Sequence, residues 1–251
     1  MSEPIIRVEN LTCAYGDNVV LRDVSFEVAR GEVLTVLGGS GCGKSTLLKH
    51  LIGLEHPAAG QVWLNGRELT ATGGEARRDI LASFGVAYQA GALFGSMSVL
   101  ENVMLPLAEH TALDAPAREI VARLKLREVG LEQYADYAPA NLSGGMQKRA
   151  AIARALALDP AILFLDEPSA GLDPITSSEL DALILRLARA LHLTFVVVTH
   201  ELASIFAIAD RGLMLDKQEQ GIIAVGKPAD LRDHHPDPRV TRFFRRGEET
   251  V

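Results

Sequence analysis

The sequence predicts an α/β fold: a mainly parallel, doubly wound sheet, with a strand-rich opening and a helical segment inserted in its middle. Three observations carry this reading. Wholly or mainly apolar runs of strand length recur at residues 32–37, 161–165 and 195–198. Strands that are apolar on both faces are those that parallel sheets bury between layers. The stretches that follow these runs show helical spacing, so strand and helix alternate along the chain.

The opening third reads as strands and turns. Ile5, Val8 and Leu11 lie in an extended stretch, and Val24, Phe26 and Val28 alternate with polar neighbours until Gly31. Residues 32–37, EVLTVL, form a buried strand that runs into a glycine-rich turn. The helix beyond it presents Leu47, Leu48, Leu51 and Ile52 on one face and stops at Gly53. Residues 61–69 fit a hairpin turning at Asn65–Gly66. From about 75 to 158 the pattern becomes mostly helical. Ser98 and Glu101 make a capping box, Pro116 stands early in a second helix that ends near Gly130, and a third runs from about Met146 to Leu158. AILFLD is the next buried strand. Leu180, Leu183, Ile184, Leu187 and Leu191 then follow helical spacing, TFVVVTH is a strand, and Glu201 to Ala209 is a helix. GLMLD and GIIAVG read as two strands at the sheet edge.

Composition narrows the function. The chain has 251 residues, 48% hydrophobic and 23% charged, which is ordinary globular usage. A net charge of −7 argues against a nucleic-acid binder working through a broad basic face. Two cysteines, Cys13 and Cys42, suggest neither a zinc site nor a disulfide framework and fit a reducing compartment. No signal peptide is visible, and no apolar run approaches the roughly 20 residues of a membrane helix, so a membrane role would come through partners.

Gly38, Gly39, Ser40, Gly41, Cys42, Gly43, Lys44 and Ser45 match G-x-x-x-x-G-K-[ST] between a strand and a helix. Glycines let backbone N–H groups converge on phosphate oxygens, and the helix N-terminus adds partial positive charge. Lys44 is then placed for the β- and γ-phosphates, and the Ser45 hydroxyl for Mg²⁺. Asp166 and Glu167 end a buried strand at the carboxyl edge of the sheet, where α/β folds bind ligands. Asp166 is expected to hold Mg²⁺, and Glu167 to polarise the attacking water as general base. Read alone, the pair would also suit a helix N-terminus.

Residues 142–149, LSGGMQKR, complete a set that resembles the ABC ATPase family. The family signature begins LSGGQ, and Met146 here replaces the glutamine while Ser143, Gly144 and Gly145 remain. By itself LSGG also reads as a serine-capped helix start. The resemblance covers about residues 5–230 and implies a P-loop NTPase core, RecA-like, with an antiparallel β-subdomain. It implies that Tyr15 stacks on adenine, that Thr46 completes the ATP cradle, that Gln89 senses Mg²⁺ and the γ-phosphate, and that His200 is the switch histidine. SAGLD, residues 169–173, matches the D-loop, with Asp173 as the cross-dimer residue and Gly171 as an extra residue. It implies ATP and Mg²⁺ as cofactors and a head-to-tail homodimer in which Ser143 to Gly145 of one copy cover nucleotide held by the other.

Residues 89–107, SAGLDPIT and AIADRGLMLD together resemble ATPases of the Mla type, which move phospholipids between inner and outer membranes. That likeness implies permease subunits, an MCE-domain lipid-binding protein and a STAS-domain small subunit, with the ATPase on the cytoplasmic face of the inner membrane. A solute transporter and a soluble, non-transport ABC ATPase are the alternatives. Phe94, Met97, Val99, Leu100, Val103, Met104 and Leu107 are too many for one core stripe, and suggest a groove for a permease helix. The expected organisation is an ATPase domain over 4–230, its helical insert at about 90–158, and a tail over 231–251. In that tail Phe243 and Phe244 stand among Arg239, Arg242, Arg245 and Arg246, suited to docking a partner or lipid headgroups.

Overall fold

The computed structural model describes residues 3–89 and 91–245. Two sheets form it. The first is antiparallel, in the order β2-β1-β4-β5, from β1 (Ile6–Tyr15), β2 (Asn18–Val28), β4 (Ala59–Leu64) and β5 (Arg67–Glu68). Asn65 (φ 50°) and Gly66 (φ 75°) are both left-handed, the conformation that an Asn-Gly hairpin turn requires.

The second sheet has the order β10-β9-β3-β8-β7-β6. β3 (Val33–Leu37), β6 (Phe84–Ala87), β7 (Ile162–Asp166), β8 (Thr194–Val198) and β9 (Arg211–Asp216) are parallel, and β10 (Gly221–Gly226) runs antiparallel to β9. The all-buried patterns of β3 and β8 match their mainly apolar sequence, each with one buried threonine, Thr35 and Thr194. Two details differ from the sequence reading. β9 is interior, paired to β3, and of these two strands only β10 lies at an edge. β6 lies within the stretch read as mostly helical. It has only four residues, one of them Gly85, too few to show a strand period, and Gly85 sits directly against the Ala155 carbonyl.

The helices lie where the pattern places them: α1 (Lys44–Leu51), α2 (Gly74–Ala82), α3 (Val99–His110), α4 (Ala115–Glu128), α5 (Gly144–Ala155), α6 (Pro174–Leu191) and α7 (Leu202–Ile208). The Ser98–Glu101 capping box opens α3 as expected, with both reciprocal bonds formed. On α6, Leu180, Leu183, Ile184 and Leu187 are buried, whereas Leu191 is exposed at the last turn. One core lies between the parallel sheet and α3–α6; another joins the two sheets around α1.

A third, smaller core involves the C-terminal end. α8 (Pro228–His234) and α9 (Pro238–Arg245) follow β10. Leu231, Val240 and Phe244 pack with Leu37, Ile205, Met214 and Ala224. The segment from 231 is thus folded through Arg245, as the end of α8, a short break at 235–237 and α9; the remainder, Arg246 included, lies outside the described residues. Residues 89–107 divide: Val99, Leu100, Val103 and Leu107 are core, Met104 is partly buried, and Phe94 is 50% exposed.

Candidate functional site

The carboxyl ends of β3, β7 and β8 converge on one cleft of about 540 Å³, lined by Gly38, Gly39, Ser40, Lys44, Gln89, Glu167, His200, Leu202 and Phe243. This is the edge at which parallel sheets deliver side chains to ligands.

β3 leads straight into the glycine-rich loop, and α1 begins at Lys44. Lys44 Nζ donates to the Gly38 and Gly39 carbonyls at 2.9 and 3.1 Å, which stands the ammonium over the middle of the loop. Ser45 is exposed in the first turn of α1, and Thr46 accepts a bond from His50 at 2.8 Å through its carbonyl. Cys42 is buried, and burial raises its thiol pKa, so it is a packed rather than a reactive thiol. The β1–β2 hairpin leans on the loop: a Cβ on Gly43 would stand 2.9 Å from Leu21 Cδ2. Tyr15 ends β1 in that hairpin and is exposed, outside the residues that line the cleft.

β7 delivers Asp166 and then Glu167. Glu167 has a φ of 45°, a left-handed conformation costing a non-glycine residue about 1–2 kcal/mol. Its N–H bonds the Val198 carbonyl at 2.8 Å, so the neighbouring strand holds this turn in place. Its Oε1 lies 2.8 Å from His200 Nδ1. Its Oε2 is buried with no protein partner, and so is Asp166 Oδ1. Burial, and then the Glu167 charge, raise the Asp166 pKa, while Lys148, Lys44 and Lys49 oppose the shift. Unpartnered carboxylate oxygens beside a phosphate loop and an exposed serine hydroxyl suit a hard cation such as Mg²⁺. Among the described residues no three His, Cys, Asp or Glu side chains group as a metal set. Mg²⁺ held mainly by phosphate and water needs none.

Gln89 follows β6 and lines the cleft from the far side. Its carbonyl accepts from Lys148 Nζ, and Arg154 donates to the Gly91 and Ala92 carbonyls at 3.1 and 2.7 Å. Sequence reading did not single out Leu202, or Lys148 behind the cleft wall, and it read Phe243 as part of a docking tail rather than of this cleft. Spacing along the chain offers no sign of these placements.

The remaining candidates stand apart from the cleft but beside one another. Ser143 caps α5, its Oγ accepting from Met146 N–H, and both Ser143 and Gly144 are exposed. Gly145 is buried against α6, where a Cβ would lie 2.4 Å from Thr176 Cγ2; close approach within the chain is what demands glycine there. Asp173 caps α6. Oδ1 accepts from the Ile175 and Thr176 amides, both at 3.1 Å, and Oδ2 from the Thr176 hydroxyl at 2.5 Å. These bonds lower its pKa, the hydroxyl bond foremost. Met146 is partly buried against the core, while Gln147 ties the preceding loop through the Pro139 and Leu142 carbonyls.

Comparison with known proteins shows the family and the fold. The ABC transporter family model matches residues 21–170. The intermembrane phospholipid transport system ATP-binding protein MlaF of Haemophilus influenzae is 37% identical, over 98% of this chain and 92% of its own length. The methionine import ATP-binding protein MetN of Brucella abortus is 38% identical, over 96% of this chain and 64% of its own length. The dimeric ATP-binding cassette MJ0796, bound to ADP and Pi after hydrolysis, superposes with a TM-score of 0.78 at 30% identity, covering 88% of this chain and 98% of that one.

Proposed function

The chain belongs to the ABC transporter ATP-binding family, and from that premise we propose that it is the motor subunit of a system that moves phospholipids between the inner and outer membranes. It is an ATPase of α/β fold that binds and hydrolyses ATP. The phospholipid reading is supported by likeness to MlaF through 98% of this chain and 92% of that protein. The methionine relative, at 38% identity, is matched over only 64% of its length, and keeps the solute-transporter reading as the alternative.

The observation that carries the chemistry is the Glu167 carboxylate: one oxygen held by His200, the other buried and unpartnered at the cleft. Glu167 takes a proton from water as the water oxygen bonds the γ-phosphorus and the bond to the ADP oxygen breaks. His200 keeps the carboxylate in register. The loop from Gly38 to Thr46 holds the phosphates, with Lys44 released from its carbonyl partners to the β- and γ-oxygens, and Tyr15 stacks on the base. Ser45, Asp166 and Gln89 would hold Mg²⁺, which supplies charge neutralisation at the phosphate oxygens.

Ser143, Gly144 and Gly145 complete the site of a second copy, with Asp173 fixing the turn beside them. Two copies thus form a head-to-tail homodimer that closes on ATP and opens after hydrolysis, because loss of the γ-phosphate removes contacts shared by the halves. No helix among the described residues is long and apolar enough to cross a membrane. The motor docks on permease subunits at the cytoplasmic face of the inner membrane, a reading supported by the likeness to MlaF. A hollow of about 190 Å³ lined by Leu81, Val86, Pro106, His110 and Arg154, next to the exposed Phe94, suits one anchoring side chain of an amphipathic permease helix. An MCE-domain lipid-binding protein and a STAS-domain small subunit complete the assembly.

Mass spectrometry of proteins co-purified from detergent-solubilised native membranes tests this. A permease with an MCE-domain protein is the expected result. A permease with a solute-binding protein would overturn the phospholipid assignment and leave the ATPase standing.

A further inference from the structure

Lys148 occupies an unusual place. It lies on the second turn of α5, the helix whose start carries Ser143 and Gly144, yet its side chain reaches away from that start into its own chain's cleft wall. Nζ donates to the Gln89 carbonyl, across 59 residues of sequence, and to the Glu167 carbonyl at 3.4 Å. The two loops that it joins arise from different strands, β6 and β7, and each supplies one wall of the cleft. Both need outside support. Glu167 sits in a strained left-handed turn, and among the described residues the Gln89 turn is closed by a Gly91 N–H to Tyr88 carbonyl bond of 2.7 Å and tied to α5 by Arg154 at the Gly91 and Ala92 carbonyls.

The surroundings account for a lysine there. Burial lowers the Lys148 pKa, while the charges of Asp166, Glu167 and Glu201 work in the opposite direction. Its positive charge in turn opposes the burial and Glu167 effects that raise the Asp166 pKa. A half-buried ammonium next to two adjacent carboxylates, with backbone carbonyls as its acceptors, is a charge-assisted strut. A neutral side chain of the same length would leave both carbonyls without this donor and the acidic pair without its compensating cation.

We propose that Lys148 is a positioning residue that locks the Gln89 turn to the Glu167 turn, so that the γ-phosphate side of the cleft and the water-activating carboxylate keep one register. It is not among the residues that line the cleft. Because it rides on α5, any shift of the Ser143 end of that helix is carried to Gln89 and Glu167 together.

The inference rests on the ATPase reading above, and the experiment separates the two. Steady-state ATPase and ATP calorimetry are run on the full chain with its native residues, on Lys148→Met and on Lys148→Arg. Register loss of this kind costs rate rather than affinity. Lys148→Met is therefore expected to lose roughly 10- to 100-fold in kcat, with the KM and Kd for ATP within about twofold of the native values. Lys148→Arg, which keeps the cationic donor, is expected to recover most of the rate. Native kcat in Lys148→Met overturns the proposal. So does a fall in ATP affinity as large as the fall in kcat, or an arginine variant as slow as the methionine one. If Lys148→Met does not fold, the proposal stands or falls on Lys148→Arg and Lys148→Gln: the expected order is arginine faster than glutamine, and equal rates overturn it. A native chain that neither binds nor hydrolyses ATP would instead sink the underlying reading.

Discussion

At the scale of single residues, the site rests on what the protein leaves unpaired. Glu167 spends one carboxylate oxygen on His200 and keeps the other buried without a partner, although an unmet buried acceptor costs about 1–3 kcal/mol. That cost, added to a left-handed backbone, makes sense at a position that must accept a proton. Glu167→Gln keeps the shape and the His200 contact but cannot act as base. Turnover is expected to fall by about 10²–10⁴-fold while ATP affinity is retained, measured by phosphate release and calorimetry on the same preparation. Unchanged release would remove Glu167 from the base role. The cradle was legible in the sequence because local spacing, G-x-x-x-x-G-K-S between a strand and a helix, is itself the mechanism. Lys148 was not, because its partners at 89 and 167 are brought together by the parallel pairing of β6 with β7.

At the scale of elements, periodicity and capping revealed the long pieces and missed the short ones. α3 announced itself through Ser98 and Glu101, and α6 through its apolar spacing from Leu180 to Leu187. β6 did not, since four residues with a glycine inside carry no period; what makes it a strand is the partner β7. α9 is the converse case. Its Arg-rich composition read as a tail, but two apolar side chains spaced four apart, Val240 and Phe244, lie on one face and are buried. Phe244 also meets Phe206 and Phe243, with ring centroids 5.7 and 5.3 Å away. Phe244→Ala is accordingly expected to destabilise the chain by about 3–5 kcal/mol in denaturant melts, whereas an exposed neighbour such as Arg242→Ala should change little. Equal, small effects from both would mean that α9 is only loosely attached. Because Leu37, the residue before the phosphate loop, shares that core, loosening α9 also loosens the floor under Gly38.

At the scale of the whole molecule, the decisive fact is a separation. Gly38 to Thr46, Gln89, Glu167 and His200 meet at or beside one cleft, while Ser143, Gly144 and Asp173 gather elsewhere, at the adjoining starts of α5 and α6. Ser143 and Gly144 are exposed there, backed by Gly145 packed on Thr176, so the patch is rigid and open to a second molecule. A head-to-tail pair uses both surfaces of each copy and generates two equivalent composite sites. This has a consequence that a site confined to one chain would not share. Lys44→Ala destroys a phosphate loop, and Ser143→Arg blocks a covering surface; each variant alone is expected to be inactive as a homodimer. Mixed in equal amounts, they form heterodimers in which one site combines both lesions and the other combines the intact loop with the intact cover. Random pairing should then restore up to about one quarter of native ATPase activity. If Ser143 served the loop of its own chain, every site in the mixture would carry one lesion, and the mixture would stay as inactive as its components.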